Sequence, residues 1–160
     1  MTSNIGVEDE FSTYLSDEVR QELAKYEQVL TASRGSSLVQ CGVPPEHLII
    51  LNSGSVETMV QVGGRTLSLG VAGPGRVLAL YAILSGEAPQ ASVTCLEECR
   101  VTLLPKKAFL DVLRRNPRMY FAIAKMLSTD LVNAQDVIRD HGRGRKSKVL
   151  RNAFRLHHHA

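Results

Sequence analysis

Apolar and polar positions change rhythm three times along the chain. In SDEVRQELAKYEQVL, Val19, Leu23 and Tyr26 recur at helical spacing behind Ser16, a favoured cap residue, with Asp17 and Glu18 in the first turn where a helix dipole favours negative charge. These features predict a helix over 16–26. The pattern then shortens into period-two, β-branched runs: EQVLTAS, SSLVQ, HLIILN, SVETMVQV, RTLSLGV, ASVTCL and CRVTLL, broken at RG, CGVPPE, SGS, VGGR and AGPG. Strands at roughly 8–12-residue spacing predict a sandwich or barrel. VQVGGRTLSL is the clearest hairpin, because Gly63-Gly64 supplies the positive φ that a two-residue turn requires. RVLALYAILSG is too rich in Leu and Ala for a strand, and its Gly73-Pro74-Gly75 entry predicts a short helix over 78–84.

Beyond Pro105 the spacing is helical: KKAFLDVLRRN, then a second start at Pro117, a favoured first-turn residue, running to Asp140 with Gly142 as the stop. Within this long helix Tyr120, Ala124, Leu127, Leu131, Ala134 and Ile138 fall at alternating spacings of four and three, the seam of a coiled coil, flanked by Lys125, Asp130, Asp136 and Arg139. Apolar residues off the seam (Phe121, Ile123, Met126, Val132) predict that the start of the helix packs on its own barrel. Further along, only the seam remains apolar, and a seam requires a partner; a second copy of the chain is expected.

Composition narrows the classes. With 160 residues, 44% apolar and 22% charged, the chain fits one domain with one core. No run approaches the roughly 18 apolar residues of a membrane helix, and MTSNIGVEDEF is acidic where a signal peptide is basic, so a cytoplasmic location without membrane contact is expected. Three cysteines (Cys41, Cys95, Cys99) make an odd number, which argues for reduced thiols. Four Phe, four Tyr and no Trp are too few for a base-stacking platform. Residues 142–160 hold six Lys and Arg and no Asp or Glu, leaving 13 Lys and Arg against 16 Asp and Glu before them. That tail reads as a linker, an appended terminal tag, or a basic arm that binds a polyanion through charge alone.

The order helix, short strands, short helix and long terminal helix resembles the cyclic-nucleotide-binding domain of Crp/Fnr (catabolite-activator-type) regulators. GSSLVQCGVPPEHLIILNSGSVET is similar to the family's strand-turn-strand signature, with Gly35, Gly42 and Gly54 at corners, and LEECRVTLLPKKAFLDVLRRNP resembles the strand and helix after its phosphate-binding cassette. The resemblance covers about residues 15–140. It implies a mainly β fold, an antiparallel β jelly-roll barrel with an N-terminal helix and a long C-terminal helix. The implied organisation is a tail over 1–14, a sensor domain over 15–116, a dimerisation helix over 117–141 and a basic tail over 142–160.

In that family the cassette binds a cyclic phosphate through backbone N–H groups, a ribose through a glutamate, and the phosphate charge through an arginine. The resemblance places the cassette on Gly75, Arg76, Leu78, Ala79, Leu80, Tyr81, Pro89, Gln90, Ala91 and Ser92. The family's Gly-Glu pair falls on Ala79-Leu80, and its arginine on Pro89 or Gln90. Losing the arginine and the glutamate should weaken cyclic nucleotide binding by roughly 100-fold or more. A pocket with Ser85, Gln90 and Ser92 among Leu78, Leu80 and Tyr81 favours a neutral or apolar small molecule over a cyclic nucleotide.

The remaining residues carry no second chemistry. Cys95 and Cys99 lack further metal ligands nearby and read as core or turn thiols; His47 reads as a strand-entry residue. Arg76 reads either as a solvated loop charge or as a surviving anion contact. No nucleophile set, paired carboxylates, P-loop or dinucleotide turn is present, so no catalysis is expected. Residues 142–160 are too few for a helix-turn-helix, so DNA would be reached only through a domain not in this chain. Two functional classes follow: a sensor domain of a transcription regulator, or a ligand-free scaffold for association.

Overall fold

The structure, a computed structural model, describes residues 15–128. Helix α1 (Asp17–Ala24) starts as its sequence dictates, with the Val19 N–H donating to Ser16 Oγ at 3.4 Å and Asp17 and Glu18 in the first turn. Val19 and Leu23 are its buried face. It ends two residues before Tyr26, which is exposed beyond the helix.

Eight strands follow: β1 (Gln28–Ala32), β2 (Ser37–Val39), β3 (His47–Ser53), β4 (Val56–Val62), β5 (Arg65–Ala72), β6 (Val77–Leu78), β7 (Ser92–Cys95) and β8 (Cys99–Pro105). They form two open four-stranded antiparallel sheets, ordered β1-β8-β3-β6 and β2-β7-β4-β5. This is the mainly antiparallel jelly roll with flanking helices that the resemblance implies, its two sheets open rather than closed into a barrel. Gly63 (φ 56°) and Gly64 (φ 76°) make the β4–β5 turn, with Val62 opposite Arg65.

The core has two principal layers, and β3 belongs to both. Ile49 and Leu51 point between the sheets, against Val39, Val56, Leu78, Val93, Cys95, Cys99 and Val101. Leu48 and Ile50 point the other way, with Val77 and Leu104, into a layer built with the helices. A strand buried on both faces reads as an unbroken apolar run, which is why LIIL shows no alternation. A smaller cluster of Val60, Leu69 and Ala91 lies where β4 and β5 meet the segment entering β7.

Helix α2 (Leu80–Ser85) is shorter than the 78–84 reading and begins later, because Leu78 is strand: it pairs with Ile49 in β6. Helix α3 (Lys106–Arg115) buries Phe109, Val112 and Leu113, and Arg115 pairs with Glu22 of α1 at 2.5 Å. Asn116 (φ −125°, ψ 79°) leaves the helical region, as a residue before proline does, and its side-chain amide donates to Val112 O at 2.8 Å. Helix α4 runs from 118 through 128, the last described residue. Its Met119, Ala122, Ile123 and Met126 enter the helix layer of the core at helical spacing. Ile123 and Met126 thus pack on the chain's own fold as expected, whereas Phe121 is 77% exposed. Two residues on from Met119 is about 200° around a helix, which turns Phe121 away from the sheet.

Candidate functional site

The cassette begins as an extension of β3. The Gly75 N–H donates to Leu51 O at 2.7 Å and the Leu51 N–H donates to Arg76 O at 2.9 Å, so these residues are welded to the sheet before β6 starts. Gly75 sits at φ 94° and is buried; Arg76 is half-buried and engaged. Ala79 then adopts φ 71°, ψ 7°, the only non-glycine residue at positive φ among the described residues. Its carbonyl accepts from the Ile83 N–H at 3.0 Å, opening α2, and Gly86 (φ 75°) closes it by donating to Ala82 O at 3.0 Å. One left-handed residue at each end makes the six-residue helix a tight, isolated turn.

Not every cassette residue faces outward. Leu78 (2% exposed) lies between the sheets and Leu80 (1%) lies in the helix layer. Tyr81 is half-buried and its hydroxyl donates to Glu87 Oε2 at 3.5 Å. The Glu87 N–H in turn donates to Ser85 Oγ at 3.1 Å. Pro89 is buried, with its carbonyl accepting from the Gly42 N–H at 2.8 Å, while Gln90 is exposed. Ala91 is fully buried against Val60 and Leu69. The Ser92 hydroxyl accepts from the Cys41 N–H at 3.1 Å, so a residue predicted to line the pocket is engaged by the chain itself. The turn at Cys41-Gly42 therefore clamps the second half of the cassette, a role that spacing alone does not reveal. Gln90 is uncharged, and Glu87, three residues earlier, is an exposed carboxylate.

Of the described part of the helical seam, Tyr120 (52%) and Ala124 are exposed, whereas Leu127 is half-buried and packs against the helix layer of the core. Leu131, Ala134 and Ile138, with Val132, lie outside the described residues. A cleft of about 640 Å³ between Leu15–Val19 and Arg115–Met119 has no counterpart in the sequence reading, since it is formed where α1 starts beside the α3–α4 corner. His47 opens β3 half-buried, and Cys95 and Cys99 are buried free thiols, as expected for strand-entry and core positions. Among the described residues no three His, Cys, Asp or Glu side chains converge as metal ligands, and no helix is long and apolar enough to cross a membrane.

Comparison with known proteins places this arrangement. The catabolite activator protein of Thermus thermophilus is similar with a TM-score of 0.68 and 24% identity, over 79% of this chain and 59% of that one. The sensor domain of the transcriptional regulator DNR from Pseudomonas aeruginosa is similar at 0.64 and 21%, over 76% and 87%. A cyclic nucleotide-binding domain from Methylobacillus flagellatus KT is similar at 0.72 and 19%, over 82% and 77%. The chain thus spans about three fifths of the catabolite activator protein, and at these identities the likeness establishes the fold. No curated protein matches the chain. The family model of the cyclic nucleotide-binding domain matches residues 29–116, more than half of the sequence and all of the cassette, and the chain belongs to that family.

Proposed function

We propose that the chain is the sensor module of a Crp/Fnr-type transcription regulator, that it dimerises through residues 120–138, and that its cassette holds cyclic nucleotides only weakly. DNA would be reached through a further domain, and the module works in the cytoplasm as a binding protein rather than an enzyme. The observation that carries the reading is a cassette with its backbone turns intact, at Ala79 and Gly86, and an uncharged Pro89-Gln90 where the family's arginine aligns. A cyclic nucleotide brings a full negative charge, and a charge-assisted contact to it contributes about 1.5–3 kcal/mol. An uncharged small molecule avoids that deficit, and the apolar Val60–Leu69–Ala91 cluster behind the cassette favours one.

Calorimetric titration at physiological salt is expected to give dissociation constants for cyclic AMP and cyclic GMP in the high micromolar range or weaker. Gln90→Arg, at an exposed position, should tighten binding by about tenfold. Sub-micromolar binding by the wild type would overturn the weak-binding reading. The exposed Tyr120 and Phe121 favour a second reading, a scaffold that associates without any ligand. A thermal-shift screen of nucleotides, haem and apolar metabolites separates the two, since a ligand of the folded state raises the melting temperature by mass action.

A further inference from the structure

Cys95 ends β7 and Cys99 starts β8, so the pair flanks the corner where the chain crosses from one sheet to the other, with the exposed Leu96-Glu97-Glu98 between them. Both thiols are free and buried, at 2% and 0% exposure. Both belong to the same buried cluster between the sheets, and Cys95 lies opposite Val56, next to the Ser55 that Cys99 contacts. Cys99 Sγ also donates toward Ser55 O (3.3 Å) and Glu97 O (3.4 Å), the second being the backbone of the exposed turn itself. Gly54 makes the room: a Cβ there would fall 2.6 Å from Cys99 Sγ and 2.7 Å from Glu98 O. Two thiols four positions apart thus share one core cluster beside Ser55 and Val56, behind a surface turn.

We propose that Cys95 and Cys99 form a redox-responsive staple that closes to an intramolecular disulfide by exchange with a low-molecular-weight disulfide of the oxidised-glutathione class. When the 96–98 turn opens, Cys99 loses its proton to solvent and its thiolate attacks one sulfur of the small disulfide, breaking that bond and expelling one small thiolate. Cys95 then gives up its proton and attacks the Cys99 sulfur of the mixed disulfide, expelling the second. The protein loses two protons and two electrons, and the small disulfide takes them up to become two thiols. Burial and the neighbouring Cys99 push the Cys95 thiol up to about 11, so the reaction waits on opening of the turn rather than running at an exposed-thiol rate. The closed staple would fix the corner that also receives the β1–β2 turn, through Gly35 N–H to Cys95 O (2.8 Å) and Cys95 N–H to Ser36 O (2.9 Å). The inference does not depend on what the cassette binds.

The test uses the full chain carrying Cys41→Ser, which removes the exposed thiol and with it cross-links between copies. Folded protein is incubated with oxidised glutathione and followed by intact mass and peptide mapping. The expected result is a loss of two mass units mapped to residues 95–99, with a melting temperature higher by about 4 °C or more, both reversed by dithiothreitol. A stable glutathione adduct on Cys99 in Cys95→Ser supports the order of attack. Folded protein that keeps both thiols while the urea-unfolded chain closes under the same oxidant overturns the proposal, and this parent comparison decides the matter even where a serine variant fails to fold.

Discussion

At the scale of single residues, the cassette holds a conformation its own side chain opposes. Ala79 sits at φ 71° because β6 must end and α2 begin within one residue, and the hydrogen bonds on both sides hold it there. A left-handed alanine costs about 1 kcal/mol relative to glycine. Ala79→Gly is therefore expected to raise unfolding free energy by about that amount in a urea titration; a variant less stable than wild type would show that the methyl group's contacts outweigh the strain. The position where the family carries glycine was legible from the alignment, but the retained geometry was not, since alanine carries no signal of positive φ. Cys95 gives a second residue-scale expectation. Its thiol is raised from about 9 to about 11 by burial and then by the adjoining Cys99, so the folded state keeps a proton that the unfolded chain releases. The associated stability is present in full below pH 9 and is lost as pH rises toward 11. Urea midpoints measured across that window should fall more steeply for wild type than for Cys95→Ala, and parallel slopes would remove the assignment.

At the scale of elements, what the sequence made legible was whatever one segment decides alone. The Gly63-Gly64 hairpin, the Ser16 cap and the Pro105 and Pro117 starts are local chemistry, and each lies where the pattern put it. Elements decided by partners were harder. β6 is two residues long and exists only because Ile49 and Ile50 offer it a ladder, so its leucine was counted into the following helix. Likewise, the sequence predicts Leu78 and Leu80 as walls of one pocket, yet alternation across a strand and the turn at Ala79 send them into two different layers of core. The Cys41-Gly42 clamp on Pro89 and Ser92 spans about fifty positions of sequence, and no local pattern encodes it. Phe121 shows the same limit in reverse: its hydrophobicity suggested burial, and only the phase set by Met119, Ile123 and Met126 shows that it faces out.

At the scale of the whole molecule, the outward face of α4 is the feature that the described residues of one copy leave uncovered. Met119, Ala122, Ile123 and Met126 already satisfy the inner face, so Tyr120, Phe121 and Ala124 are apolar or aromatic surface that the described residues leave uncovered. Exposed aromatics in one contiguous stretch mark an association site more often than they occur by chance on a monomer. The seam continues through Leu131, Ala134 and Ile138 at the same spacing, which matches a helix pairing with its copy rather than with a sheet. Sedimentation of wild type is therefore expected to give twice the 17.6 kDa chain mass. Tyr120→Glu combined with Leu131→Asp should give a monomer, because each dimer would otherwise bring like charges together across a desolvated seam. Tyr120 is half exposed in one copy, so its replacement leaves the fold intact, and an unchanged melting profile at low concentration checks that. Identical monomer profiles for wild type and variant would remove the dimer.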